Sequence, residues 1–246
     1  MTRKIIIDCD PGIDDAVAIA MALFDPRLEV LAITAAAGSV EASQATSNVT
    51  GIVGQLDPPR YPRIGKATPA DSPPVGDDNL LHGPDGLGGL NFEPSGRQHQ
   101  TPSEKVISEL VHQHPNSITL VCLGPLTNLA RLCQRDPNAI PLINNLVISG
   151  GSVNYPGNAS PIAEHNMFYD PQSADLIFES ATTKSLVPLD VTAKVQFGVE
   201  LLDLLPSRFT RTGSLLHKVI PFAFRMAHRH LGRELIPLYD LSLIHI

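Results

Sequence analysis

Four carboxylates fall within nine residues near the start of the chain, in the stretch DCDPGIDDA at residues 8–16. The stretch directly follows the apolar run of residues 5–7, which predicts a buried strand. Asp10 lies just past that strand, and Asp14 and Asp15 fall in the first turn of the helix predicted to follow. Carboxylates this close repel one another unless a cation compensates their charge. Hard oxygen ligands suit Ca²⁺ or Mg²⁺, and Ca²⁺ accepts the looser shell, so a divalent metal site is predicted.

Helix capping offers another explanation for Asp14 and Asp15. An aspartate in the first turn of a helix accepts hydrogen bonds from free backbone N–H groups and interacts favourably with the helix dipole. Capping can account for either residue alone. It does not account for the whole D-x-D-P-G-x-D-D pattern at the end of a strand, and that pattern favours the metal site.

Strands and helices alternate along the sequence, as judged from apolar runs and from apolar residues at helical spacing. The predicted strands are residues 4–9, 28–35, 117–123, 146–149 and 185–189, and the predicted helices are residues 14–24, 41–56, 104–114, 171–180 and one beginning at 124–125. This order implies an α/β fold with a mostly parallel, Rossmann-like central sheet and helices on both faces. Residues 57–103 are rich in Pro, Gly and Asp and predict a long irregular segment, in which LHGPDGLGGLNF (81–92) has no regular structure.

Polar clusters follow four of the predicted strands. They are DCDPGIDDA at 8–16, GSVEAS at 38–43, GPLTN at 124–128 and GGSVNYPGNASPIAEHN at 150–166. In open parallel sheets, ligands bind outside the carboxyl ends of the strands. Four separate loops are therefore expected to converge on one site.

Composition excludes several classes of protein. The chain has 246 residues, of which 43% are hydrophobic, and 18 Lys and Arg against 25 Asp and Glu give a net charge of -7. No basic stripe indicates a nucleic-acid surface, and no apolar run is long enough to span a membrane. The three cysteines (Cys9, Cys122 and Cys133) have no C-x-x-C spacing and indicate reduced thiols in a cytoplasmic protein.

DCDPGIDDAVAIAMA resembles the N-terminal motif of the nucleoside hydrolases, the inosine-uridine-preferring family of N-ribohydrolases. The resemblance continues along almost the whole chain. AITAAAG, HGPDGLGG, LVCLGPLTNLA, ISGG and GNASPIAEHNMFYDPQSA are similar to later blocks of the family, in the same order and spacing. Several motifs in one order are more specific than a single short match.

The resemblance implies a calcium site and a general base. Asp10 would bind Ca²⁺ and activate a water bound to the metal. Asp15 would be a second ligand, the backbone carbonyl of Leu123 a third and Asp240 a fourth. The reaction would be hydrolysis of the N-glycosidic bond of ribonucleosides, giving free base and ribose through an oxocarbenium-like transition state.

The resemblance also implies how the ribose is held. Asp14 would hydrogen-bond a ribose hydroxyl, and Asn158, Glu164 and Asn166 would hold the 5′ and 3′ hydroxyls. A polar loop with Asx turns is the alternative for these last three residues. The family further implies a homodimer or homotetramer. Base-facing residues are expected in loops of the 200s, so the sequence does not predict which base is released.

The chain departs from the family pattern in two places that bear on catalysis. Ser39 stands where the family has an Asn that contacts the substrate, and it is a shorter donor. Tyr239 stands where the family has a His close to the base. A phenol protonates a leaving group less readily than an imidazolium at neutral pH. His82 is a candidate to supply part of that acid function.

Length is a further departure. Family members typically continue for some tens of residues past the block that contains Asp240, whereas this chain stops six residues after it. We therefore expect residues 1–246 to form one domain that lacks its natural C-terminal segment.

A catalytically impaired nucleoside- or ribose-binding relative is one alternative function. A haloacid-dehalogenase-type phosphohydrolase is another, although Gly12 stands where that motif needs Thr or Val.

Overall fold

The centre of the protein is a sheet of six parallel strands, seen in a computed structural model that describes residues 2–69, 79–92 and 101–244. The strands are β1 (Arg3–Cys9), β2 (Leu28–Ala35), β3 (Arg63–Gly65), β4 (Ile118–Cys122), β5 (Asn145–Ser149) and β6 (Lys184–Val187). They lie in the order β3-β2-β1-β4-β5-β6, and every neighbouring pair is parallel. The predicted α/β class and parallel sheet are confirmed.

Helices cover the sheet on both faces. They are α1 (Ile13–Phe24), α2 (Ala42–Leu56), α3 (Asn79–His82), α4 (Ser103–Gln113), α5 (Thr127–Arg135), α6 (His165–Tyr169), α7 (Pro171–Glu179), α8 (Leu189–Thr192), α9 (Leu201–Leu204), α10 (Arg211–Leu231) and α11 (Leu241–Ile244), with a 3-10 turn at Ile140–Leu142. A small antiparallel pair is formed by β7 (Gln196–Phe197) and β8 (Ile236–Pro237). Among these helices, none is long and apolar enough to cross a membrane.

The apolar run in β1 exists because both faces of that strand are covered. Ile5 and Ile7 pack in the core that the sheet forms with α1, α2 and α10, whereas Ile6 packs in the core formed with α4, α5 and α7. All three side chains are at most 3% exposed. A central strand covered on both faces has no position for a solvated residue, so its sequence is continuously apolar.

The strand order changes direction beside β1. From β1 the chain moves outward through β2 and β3, and it then returns to place β4 on the other side of β1. The backbone N–H of Leu123 donates to the carbonyl of Asp8, which ties the ends of β1 and β4 together. Such a switch point opens a crevice at the carboxyl ends of the two strands. Asp10 follows β1 at this crevice.

The segment at residues 57–103 contains more regular structure than the sequence predicts. Its start includes the short edge strand β3, and Leu81 and His82 form the end of the one-turn helix α3. The expectation that all of 81–92 is irregular is therefore wrong for its first two residues. The predicted irregular segment also includes residues 70–78 and 93–100, which lie outside the described part of the chain.

Helix α10 occupies much of the 200s, where the sequence was expected to form loops. Its 21 residues include Pro221, which reads in a sequence as a helix breaker. The Thr210 side chain accepts a hydrogen bond from the Gly213 N–H at the start, and Gly232 ends the helix at φ 60°. These two caps define the helix, and apolar packing against α1 and α2 holds it across the proline.

Candidate active site

Asp10 lies in the crevice with its two carboxylate oxygens in different environments. Oδ2 accepts hydrogen bonds from the backbone N–H of Ser39 (2.7 Å) and from its hydroxyl (2.9 Å). A Cβ at Gly38 would collide with Oδ2, and a Cβ at Gly124 would collide with Oδ1. Burial raises the pKa of Asp10 to about 6, against the opposing effects of His165 and of the Ser39 hydrogen bonds. The loops after three strands therefore enclose this carboxylate.

Three further carboxylates meet beside Asp10. Asp14, Asp15 and Asp240 each offer an oxygen, and these atoms all lie within 4.8 Å of one another. Asp15 and Asp240 are buried. Burial, followed by the charges of Asp10 and Asp14, raises the pKa of Asp15 well above its usual range. Burial and Asp15 do the same to Asp240.

This carboxylate cluster fits a divalent cation. Oδ2 of Asp15 accepts the backbone N–H of Gly12 at 2.7 Å, as a helix cap does. Oδ1 of Asp15 is buried, and no donor within the described residues reaches it. An unpartnered buried carboxylate oxygen is costly unless a cation or a proton satisfies it. The capping and metal explanations of Asp15 therefore apply to different oxygens of one side chain.

The carbonyl of Leu123, predicted as a metal ligand, is held by the amide of Asn166. Nδ2 of Asn166 donates to this carbonyl at 2.7 Å and to the carbonyl of Ser149 at 3.1 Å. A carbonyl oxygen has two lone pairs, so one remains for another partner. Asn166 thus joins the loops after β4 and β5 at the site.

Glu164 and Asn158 organise their own loop. Glu164 caps α6, with Oε1 accepting from the N–H of Asn166 and Oε2 accepting from the N–H groups of Gly151 and Met167. Burial raises its pKa, against the effect of these backbone donors. Oδ1 of Asn158 accepts the N–H of His165. The structure brings Glu164 and Asn166 to the crevice while these backbone bonds fix their orientation.

His82 sits over the start of α1. Its Nδ1 accepts the backbone N–H of Ile13 at 3.1 Å and lies 3.9 Å from Oδ1 of Asp14. Because Nδ1 is an acceptor here, the neutral ring carries its proton on Nε2. The side chain is about one-fifth exposed. His82 therefore lies beside the predicted ribose ligand Asp14 and has an N–H donor at its other ring nitrogen.

A cavity connects Asp14 and His82 with Tyr239. It is lined by Ile13, Asp14, Leu81, His82, Ala223, Ala227, Leu231, Arg233, Ile236, Pro237, Leu238 and Tyr239. Burial, followed by the charge of Asp14, raises the pKa of Tyr239 to about 12. The phenol therefore stays protonated at neutral pH and can act as a hydrogen-bond donor.

Sequence reasoning missed the wall of this cavity that α10 provides. Ala223, Ala227 and Leu231 follow one another at intervals of four residues and so share a helix face. This spacing is typical of one face of a helix, but Pro221 predicts a break in the helix just before it. Arg233 was also missed, because a single arginine after a helix has no distinctive pattern.

A buried polar network lies under the crevice and includes Asp8. Oδ1 of this fully buried carboxylate accepts the Thr34 hydroxyl at 2.6 Å and the Asn128 amide at 2.8 Å. Oδ2 is buried, and none of the described residues gives it a hydrogen bond. Burial raises the pKa of Asp8 to about 7, although the two hydrogen bonds oppose the shift.

Replacing Asp8 with Asn is expected to flatten the dependence of stability on pH. The unfolded carboxyl ionises near pH 4 and the folded one near pH 7, so wild-type folding loses on the order of 4 kcal/mol from this group across that interval. Asn retains an acceptor for Thr34 and Asn128 and does not ionise. Urea unfolding of both proteins at pH 4 and pH 8, with chelator present, measures the difference. Asp25→Asn, a half-buried site at the far end of α1, is the control, and equal slopes in the Asp8 variant and wild type would contradict the expectation.

Comparisons with known proteins agree with this geometry. Residues 5–246 match the family described as "Inosine-uridine preferring nucleoside hydrolase". The non-specific ribonucleoside hydrolase RihC of Salmonella enteritidis is 38% identical over 216 residues, covering 87% of this chain and 70% of that protein. Uridine nucleosidase 1 of Arabidopsis thaliana is 36% identical over 207 residues, covering 82% and 61%.

Solved structures show the same fold. A plant nucleoside hydrolase, the PpNRh1 enzyme, is 30% identical with a TM-score of 0.88, covering all of this chain and 78% of that one. A purine-preferring ribonucleoside hydrolase from Gardnerella vaginalis is 26% identical with a TM-score of 0.91, covering 99% and 79%. The haloacid-dehalogenase alternative is thereby overturned. The chain belongs to the inosine-uridine preferring nucleoside hydrolase family and is a nucleoside hydrolase.

Proposed function

We propose that this protein hydrolyses the N-glycosidic bond of ribonucleosides to free base and ribose, and that it needs Ca²⁺ to do so. The observation that carries the proposal is the meeting of Asp14, Asp15 and Asp240 beside Asp10 at the switch point of the sheet. The relatives named ribonucleoside hydrolase and uridine nucleosidase support the substrate class. The unpartnered oxygen of Asp15 supports the cation.

Asp10 is proposed as the general base. Cleavage of the N-glycosidic bond places positive charge on the ribose ring, and a carboxylate-rich site stabilises that charge. Asp15, Asp240, the Leu123 carbonyl and Asp10 would hold Ca²⁺, which supplies a water of lowered pKa when it is bound. A carboxylate of Asp10 kept ionised by the cation can accept the proton of that water. Ser39 fixes one oxygen of Asp10, and the other lies beside Gly124.

Asp14, Asn158, Glu164 and Asn166 are proposed to bind the ribose hydroxyls. Glu164 and Asn166 are held by backbone hydrogen bonds, so they enter the site already oriented. Preorganised partners hold the sugar close to its reactive geometry. A substrate without a 2′-hydroxyl would leave buried polar groups unpaired, which predicts strong discrimination against deoxyribonucleosides.

The base is proposed to occupy the cavity between α10 and Tyr239. His82 and Tyr239 both line that cavity. Because the Tyr239 pKa is about 12, this phenol is poorly matched to proton transfer at neutral pH and serves as a hydrogen-bond donor to the base. His82, with its proton on Nε2, is the better candidate to donate toward the departing base.

A catalytically impaired member of the family, which binds ribonucleosides with little turnover, is the second candidate. The replacement of the family's His by Tyr239 and of its Asn by Ser39 favours it, since both changes remove groups that the family places near the substrate. The two functions differ in turnover. The odd number of cysteines, all of them free, supports a cytoplasmic location, and the one six-stranded central sheet supports one domain over residues 1–246. A homodimer or homotetramer is proposed from the family.

Release of reducing sugar from uridine, inosine and guanosine tests the proposal. Turnover is expected with Ca²⁺, to vanish with a chelator and to return when Ca²⁺ is restored. 2′-Deoxyuridine is expected to react at least about 100-fold more slowly than uridine. Binding of ribonucleosides by folded protein without any turnover would establish the binding-only function instead.

A further inference from the structure

We propose that Asp85 and Asn48 are positioning residues for His82, which they hold over the start of α1 by folding the 82–91 loop and fastening it to the Pro11 turn. The inference rests on the proposed function, in which His82 donates to the departing base. Neither residue lines the cavity, so both act through His82.

The carboxylate of Asp85 folds the loop around itself. Oδ1 accepts the backbone N–H groups of Leu87 (3.1 Å) and Gly89 (2.8 Å), and Oδ2 accepts that of Asn91 (2.8 Å). Asp85 is 5% exposed. A carboxylate that accepts three backbone N–H groups fixes its loop strongly, because each bond is charge-assisted.

The amide of Asn48 fastens this loop to the Pro11 turn. Its Nδ2 donates to the carbonyl of Asp85 at 2.7 Å and to the carbonyl of Pro11 at 3.2 Å. Asn48 lies on α2 and is fully buried, and Gln44 donates to its Oδ1. One amide thus links the loop that carries His82 to the turn between Asp10 and Asp14.

Close packing leaves the loop little room to shift. A Cβ on Gly86 would lie 2.9 Å from the carbonyl of Pro11, and one on Gly88 would lie 2.8 Å from the Phe222 ring. Both glycines have positive φ angles, 77° and 71°. The carbonyl of His82 itself accepts the N–H of Gly88 at 2.7 Å. The backbone of His82 is therefore held by its own loop, and its ring by the bond from Ile13.

Replacing one carboxylate oxygen of Asp85 with an NH₂ group puts a donor against a backbone N–H of the loop, which should let His82 move away from Ile13. Asp85→Asn is expected to lower kcat/KM roughly 10-fold to 100-fold, since displacement of a reacting group by about 1 Å has effects of that size. Asn48→Ala, which leaves the Asp85 carboxylate intact, is expected to act in the same direction. In a His82→Ala background, either change should alter kcat/KM by less than about 2-fold, because the group they position is gone.

Asp190→Asn is the matched control for this double-mutant cycle. Asp190 also accepts two backbone N–H groups of a loop, those of Val153 and Asn154, but its loop does not carry His82. Its effect should be the same in the wild-type and His82→Ala backgrounds. Effects of Asp85→Asn that are equally large in both backgrounds would overturn the proposal.

The ring nitrogens of His82 give a readout that does not depend on turnover. A long-range ¹H–¹⁵N spectrum of the wild type, recorded at a pH where the imidazole is neutral and assigned by the signals lost in His82→Ala, should show the proton on Nε2. Asp85→Asn and Asn48→Ala should shift these signals toward a mixture of tautomers, and unchanged signals in folded variants would overturn the proposal. If the wild type hydrolyses no ribonucleoside, the proposed function fails, and this spectrum still decides the positioning.

Discussion

Replacing Asp10 with Asn is expected to lower kcat for ribonucleoside hydrolysis by about 10²-fold to 10⁴-fold, the range that general-base catalysis contributes. Asn has the shape of Asp and keeps an oxygen that can accept the two Ser39 hydrogen bonds. It cannot take a proton from the attacking water. The loss should therefore fall on kcat far more than on KM, because the groups proposed to bind ribose remain.

The surroundings of Asp10 are expected to accept Asn without a change in the fold. The absence of a Cβ at Gly38 and Gly124 leaves the room that the Asp10 carboxylate occupies. Asn has nearly the same size and shape and is expected to fit there. With chelator present, Asp10→Asn should keep the thermal stability of the wild type or exceed it, since a buried carboxylate with a raised pKa is removed.

Asp25→Asn provides the comparison for this experiment. Asp25 ends the same helix that Asp14 and Asp15 begin, and it pairs with Arg27 at the surface. Its kcat should equal that of the wild type. If Asp10→Asn retained more than a tenth of wild-type kcat, another group would be the general base, and the role proposed for Asp10 would be wrong.

The fold could be predicted because its signals are local. A β-branched run such as residues 4–9 is covered on both faces, and alternation of such runs with helical spacing leaves few arrangements for a parallel sheet. The convergence of DCDPGIDDA with the loops after β2, β4 and β5 followed from that sheet alone. The neighbourhood of Asp10, Ser39 and Gly124 is thus a consequence of topology.

Other parts of the site depend on side-chain contacts between distant segments, which periodicity does not encode. Asn48 and Asp85 are 37 residues apart, and their bond joins α2 to an irregular loop. The sequence suggested Glu164 as a sugar ligand. That its side chain also caps α6 depends on the backbone conformation at residues 164–167, which the sequence pattern did not predict. Helix α10 continues through Pro221 because apolar packing outweighs the lost hydrogen bond, and packing of this kind is not local.

Removal of Ca²⁺ is expected to abolish turnover and also to lower the free energy of unfolding. Without a cation, the buried carboxylates of Asp15 and Asp240 must share protons or repel each other, as their raised pKa values indicate. A cation that binds only the folded state stabilises it by about 2.7 kcal/mol when its free concentration is about 100 times Kd. Thermal unfolding with chelator and across a Ca²⁺ titration measures this gain. Mg²⁺ should give a smaller one, because it demands a stricter geometry.

The Asp240→Asn variant should differ in stability from the wild type in opposite directions with and without Ca²⁺, which makes it the decisive variant for the metal. With chelator present at pH 7, it should be more stable than the wild type, because the substitution removes a buried carboxyl whose raised pKa makes ionisation unfavourable in the folded state. With Ca²⁺ in excess, it should be less stable than the wild type, because the cation has lost a ligand. A variant whose stability differs from that of the wild type by the same amount in both conditions would show that Asp240 binds no cation, and the cluster with Asp14 and Asp15 would then be held by shared protons alone.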